Sequence, residues 1–265
     1  MGAFGRIKMV TLDVHNTILK MTYPLGETYV KKTFETSGIK LETDVVNKEF
    51  YTEWKYMNKH YPHFGATTKP DWSDGGWWEQ LCSRTLLAAG FPKDQSSRLT
   101  DSAQAIHKYY VTPDAWTILS NADEALSELA KTGVKIAVIS NFGKRLHNLF
   151  DIFNLRQYID HLIISEEAKS SKPEQSIFEQ ALLKAGLHNE PESVLHIGDH
   201  IRNDYYGAKT VGMRALLFMD PGTPHWPVGN EGPIDKADVV TSLKAVVDFV
   251  KKNNELYDCE SQQNR

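Results

Sequence analysis

Short apolar runs separated by stretches of helical periodicity set the frame of this chain. The first run, Ile7-Lys8-Met9-Val10-Thr11-Leu12, stops abruptly at Asp13. Apolar runs of this length bounded by polar residues predict buried parallel strands. Similar runs recur at residues 134–140, 161–165, 193–197 and 213–219, and Val239-Val240 suggests a short edge strand. Between them the pattern predicts helices at 121–133, 147–153, 173–186, 204–211 and 242–252, the third with Pro173 near its start. Helix-separated strands in this order imply an α/β fold, a doubly wound, mostly parallel sheet with right-handed crossovers.

One block interrupts the alternation. From residue 22 to 112 the chain shows helical patterns and no convincing buried strand. Helices are expected at 27–37, closed by Gly38, then at 43–59, 76–89 and 95–110. An aromatic loop rich in breakers spans 61–72. The block reads as an all-helical domain inserted early in the fold. The expected division is a core of residues 1–20 and 113–252, a helical insert of 21–112, and a disordered polar tail of 253–265. Residues 220–234, rich in proline and glycine, read as a loop.

Composition narrows the function classes. The 265 residues are 41% hydrophobic and 24% charged, ordinary for a globular protein. A net charge of −4 gives no electrostatic footprint for nucleic acid. Lys31-Lys32 and Lys251-Lys252 are too short to change that. Cys82 and Cys259 lie far apart without CxxC spacing, which speaks against a disulfide framework or a cysteine zinc site and suits a reducing compartment. No secretory core is expected at the start, and Arg6 stands where a myristoylation signal needs Ser or Thr. No apolar run nears the roughly 20 residues that span a bilayer. The expected setting is intracellular and cytoplasmic, with the nucleus open, and the expected partner is a small molecule rather than nucleic acid or membrane.

Candidate chemistry gathers at the strand ends. Taken alone, Asp13 reads as a cap on the following turn. It has company, however: Ser140-Asn141 closes the second core strand, Lys172 follows the third, and Gly198-Asp199 closes the fourth. In a parallel sheet all these loops open on one edge, where ligands bind. Two carboxylates, a hydroxyl and an ammonium suit a dianion plus a divalent metal. Asp13 and Asp199 can hold Mg²⁺, while Lys172 and Ser140 can bind phosphoryl oxygens. Elsewhere the bland reading prevails. His60 and His63 read as surface residues, His196 as core, and Trp54, Trp72, Trp77 and Trp78 as packing within the helical insert.

Asp13-Val14-His15-Asn16-Thr17, Ser140-Asn141, Lys172-Pro173, and Gly198-Asp199 through Asp204 together resemble the four motifs of the haloacid dehalogenase (HAD) superfamily. The resemblance covers nearly the whole chain, with the helical insert where that family carries its first-position cap. Pro24-Leu25-Gly26-Glu27, Trp77-Trp78 and residues 138–142 and 207–213 resemble one group within it. The resemblance implies a HAD-like Rossmannoid core and a hydrolase, phosphatase-like on a small phosphomonoester. Asp13 would attack phosphorus and become an aspartyl phosphate, which water would hydrolyse. Asp13, the His15 carbonyl and Asp199 would ligate Mg²⁺, and Asp204 would orient Lys172 or the metal's waters. Thr17 and Ser140 would hold the phosphoryl group, assisted by the Asn141 backbone. One position departs from the pattern. Phosphatases of the family usually carry a second Asp two residues after the nucleophile, and here His15 stands there. An imidazole can do acid–base work near neutrality. His15 thus separates a working phosphatase from a binding or regulatory protein that turns over little; a dehalogenase-type hydrolase is a third reading.

Overall fold

The computed structural model describes residues 5–72, 75–119, 121–222 and 233–263. Eight strands occur among them: β1 (Met9–Leu12), β2 (Leu19–Met21), β3 (Trp116–Ile118), β4 (Lys135–Ser140), β5 (His161–Ile164), β6 (Val194–Gly198), β7 (Arg214–Phe218) and β8 (Val239–Val240). Six form one sheet in the order β5-β4-β1-β6-β7-β8, with every pairing parallel. This is the doubly wound architecture the apolar runs predict. β1 lies in the middle, buried along its whole length. The chain winds outward from β1 through β4 and β5, then returns to its other side with β6. The carboxyl ends of β1, β4 and β6 therefore adjoin at the switch point, where open sheets of this kind form their ligand crevice.

Helices cover the sheet because their apolar stripes need it. Ile177, Phe178, Ala181 and Leu182 recur at helical spacing in Gln175–Ala185 and pack with Met9, Ile139 and Leu217. Helix Leu243–Gln263 buries Leu243, Val246, Val247 and Val250 in the same way.

The chain divides into two compact units, one of Met1–Lys20, Ile118–Asn141 and Asn154–Arg265, the other of Met21–Thr117 and Phe142–Phe153. The second contains helices Leu25–Ser37, Thr43–His60, Gly76–Ala88 and Ser96–Tyr110. Its centre is aromatic. Trp77 sits edge-on to Trp54, Phe64 and Trp78, with Met57 and Leu81 beneath. Arg145 lies 4.0 Å over the Trp78 ring.

Several features depart from the sequence expectation. β2 and β3 pair into a two-stranded sheet, and each carries the chain from one unit to the other. Strands of three residues are too short to leave an apolar run. Residues 142–153, including helix Arg145–Ile152, group with the helical unit rather than with the sheet. The expected disordered tail is a correction: the last helix continues past Asn253 to Gln263. Several of its polar residues are partnered. Asn254 is 8% exposed and pairs with both backbone groups of Ile7, accepting from its N–H at 2.8 Å and donating to its carbonyl at 3.0 Å. Arg214 donates to Asn253 at 3.0 Å. Most of the expected loop at 220–234, residues 223–232, and the tail's last two residues lie outside the described residues.

Candidate functional site

Asp13 directly follows β1, its N–H held by the Ile197 carbonyl at 2.8 Å, so the strand pairing carries the carboxylate to the sheet edge. Lys172 Nζ donates to Asp13 Oδ1 at 2.5 Å and to Asp204 Oδ1 at 2.6 Å. Ser140, the last residue of β4, donates to Asp13 Oδ1 at 3.3 Å. Asp199 follows β6 and accepts from the Asn16 side chain at 3.2 Å. Ligand oxygens of Asp13, Asp199 and Asp204 all lie within 4.8 Å of one another. The four strand-end groups singled out in the sequence therefore meet, and Asp204 joins them.

Two structural devices hold this constellation. Asn141 clamps the Lys172 loop: its side-chain oxygen accepts from the Lys172 N–H at 2.7 Å and its amide donates to the Lys172 carbonyl at 2.9 Å. Gly198 leaves room for Asp204, since a Cβ there would lie 2.2 Å from the Asp204 Cγ. With that room, Asp204 Oδ2 accepts from the His200 N–H at 3.0 Å.

Charge in the cluster is unevenly compensated. Burial alone would push the Asp204 carboxyl up, but the Lys172 ammonium and the His196 bond hold it well below the usual carboxylate range. Burial likewise opposes the Lys172 charge, yet Asp13 and Asp204 keep its ammonium above the ordinary lysine value. Asp199 has no ion pair among the described residues, and its bond from Asn16 and the attraction of Lys172 offset only part of the cost of burial. Burial, with Asp13 and Asp204 nearby, pushes its carboxyl up to about 8. One ammonium among three carboxylates leaves a deficit of positive charge. An all-oxygen donor set with that deficit fits a hard divalent cation such as Mg²⁺.

A second unmet need lies beside it. Thr17 is fully buried, and its Oγ1 has no hydrogen-bond partner among the described residues. The hydroxyl is suited to donate to a ligand oxygen. His15 is half-buried; burial lowers its pKa, with Asp13 offsetting part of the shift, so the ring is neutral near pH 7.

Sequence reasoning missed how some residues serve the site. His196 is buried but bonded, its Nε2 3.2 Å from Asp204 Oδ1 and its Nδ1 2.8 Å from Thr11 Oγ1. The lone signal was a polar residue inside Val194-Leu195-His196-Ile197. Asn16, in the left-handed region at φ 58°, gave none for its bond to Asp199. His60 packs at a tilt against Tyr56, 4.2 Å between ring centroids, and belongs to no metal-like cluster among the described residues. None of the described helices is long and apolar enough to cross a membrane.

The chain resembles known proteins along most of its length. Residues 7–212 match the family model described as haloacid dehalogenase-like hydrolase. Human haloacid dehalogenase-like hydrolase domain-containing protein 3 is 31% identical over 216 residues, 82% of this chain and 83% of that protein. It represents the group that the finer sequence matches resemble. The rhythmically expressed gene 2 protein of Drosophila melanogaster is 32% identical over 257 residues, 95% and 97% of the two chains. Among solved structures, the putative HAD-hydrolase YfnB from Bacillus subtilis, bound to magnesium, superposes with a TM-score of 0.67 at 16% identity, covering 93% and 99%.

Proposed function

Because the chain belongs to the haloacid dehalogenase-like hydrolase family, we propose that it is a Mg²⁺-dependent phosphatase acting on a small phosphomonoester through Asp13. The observation that carries this reading is the pairing of Lys172 and Ser140 on one oxygen of Asp13, Oδ1. That leaves Oδ2 as the nucleophilic atom. Asp13 and Asp199, with the His15 carbonyl, would hold the metal, which when bound neutralises phosphoryl charge.

In the first step Asp13 Oδ2 attacks phosphorus, the bond to the leaving oxygen breaks, and an aspartyl phosphate forms. Thr17 donates to a phosphoryl oxygen, Ser140 turns its single hydroxyl hydrogen from Asp13 Oδ1 to another as the substrate binds, and Lys172 balances their charge. In the second step water attacks phosphorus, the Asp13 carboxylate departs, and inorganic phosphate is released. His15 is the group near enough in sequence to handle protons. A neutral imidazole accepts the proton of attacking water readily and is a poor acid toward a leaving alkoxide. The reading therefore favours substrates whose leaving group needs little protonation, such as aryl and acyl phosphates. The helical unit would act as the cap that screens water and selects substrate, and residence would be intracellular.

His15 also supports a second reading, a protein that keeps the fold and binds a ligand with little turnover. The deciding experiment measures phosphate release from p-nitrophenyl phosphate, acetyl phosphate and glycerol 3-phosphate, with Mg²⁺ and with EDTA. Release from the first two is expected, lost with EDTA and in Asp13→Asn. Turnover unchanged in Asp13→Asn removes the nucleophile. Silence throughout supports the binding reading, and metal-independent halide release from a 2-haloacid would make it a dehalogenase.

A further inference from the structure

β1 and β6 run parallel with Thr11 opposite His196 in register. Both side chains are fully buried. An apolar residue would fill the His196 position without the cost of desolvating an imidazole. What the ring gains instead is a bond at each nitrogen, to Thr11 Oγ1 and to Asp204 Oδ1. The chemistry gives those bonds a direction. An ionised carboxylate only accepts, so Nε2 carries the hydrogen; Nδ1 of a neutral ring then accepts, and Thr11 must donate. Asp204 Oδ1 is the atom that also receives Lys172 Nζ, and Lys172 returns to Asp13 Oδ1. Strand alternation puts Thr11 and Asp13 on the same face of β1. The bonds thus leave β1 at Thr11 and come back to it two residues later.

We propose that Thr11 and His196 are positioning residues: an uncharged relay behind the sheet edge that fixes the Asp204 carboxylate and, through it, sets the Lys172 ammonium on Asp13. Neither touches substrate. This proposal rests on the reading of Asp13 and Lys172 given above, and it adds that the aim of Lys172 is decided at a hydroxyl three hydrogen bonds away.

Its geometry is tested apart from turnover by ¹⁵N NMR of the histidine rings in the full-length folded protein. The expected result for His196 is a single neutral tautomer with hydrogen on Nε2. Thr11→Val should shift Nδ1, and Asp204→Asn should shift Nε2. An imidazolium, or hydrogen on Nδ1, overturns the relay whether or not the protein is an enzyme. Its consequence is tested on p-nitrophenyl phosphate. His196→Phe keeps the ring's edge-on packing against Phe178 but cannot donate; kcat should fall about 10–100-fold with KM little changed, the scale seen when such supporting partners are lost. Thr11→Val should lower kcat, and Thr11→Ser, which restores the donor, should recover most of it. Equal, wild-type kcat in Thr11→Val and Thr11→Ser overturns the positioning role. Should His196→Phe fail to fold, the Thr11 pair decides. Wild-type silence on every phosphate ester removes the phosphatase reading alone, because the tautomer still decides the relay.

Discussion

His15 sits two residues from the proposed nucleophile, and burial keeps its ring neutral near pH 7. A carboxylic acid in its place would supply the proton that an alkoxide leaving group needs. His15→Asp is therefore expected to raise kcat on glycerol 3-phosphate by on the order of 10²-fold, the lower end of what a positioned acid contributes. The gain on p-nitrophenyl phosphate should be much smaller, since that leaving group departs unprotonated. A fall on both substrates would show that the imidazole already carries the proton. Asp13, Ser140, Lys172 and Asp199 were legible at this scale because each ends or follows an apolar run, and parallel strand ends converge. His196, Thr11 and the Asn141 side chain were not. The bond between Thr11 and His196 spans 185 residues and that between Asn141 and Lys172 spans 31, and nothing in local periodicity encodes such bonds.

Among the elements, helix Leu243–Gln263 shows most plainly what a pattern of apolar positions leaves out. Its apolar stripe ends at Val250, so the polar continuation looked solvated. The continuation instead satisfies the backbone of Ile7 through Asn254. Asn254→Ala would leave two buried backbone groups unpaired, at a cost of about 2–4 kcal/mol. Urea unfolding should show that loss, while Leu256→Ala, at 51% exposure, should change stability by less than about 0.5 kcal/mol. The long strands and the four helices of the insert were legible because each repeats an apolar spacing several times. β2 and β3 hold three residues each and repeat nothing.

At the scale of the molecule, the helical unit buries groups that must stay neutral. Tyr29 donates or accepts with Cys82 at 3.3 Å, and both are buried. Burial pushes the Cys82 thiol from 9.0 up to about 12, and raises Tyr29 and Tyr110 as well. These groups ionise more easily in the unfolded chain, so their contribution is complete below about pH 9 and is lost as pH climbs toward about 12. Each can steepen the loss by up to ~1.4 kcal/mol per pH unit. Thermal unfolding followed from pH 8 to 11 should show that decline, and Cys82→Ala should make it shallower from pH 9 upward. An identical slope in the variant would mean that the thiol ionises equally well in both states.

β1 precedes both of its sheet neighbours by long stretches of chain. Ser140 reaches Asp13 across 127 residues, His196 reaches Thr11 across 185, and Asn254 reaches Ile7 across 247. The segment bearing Asp13 is thus made well before its partners, one edge of β1 open until β4 follows and the other until β6. Such distant pairings fold slowly and leave the waiting strand open to aggregation. Synthesis halted before residue 254 would yield a nascent chain whose first strand lacks its final latch.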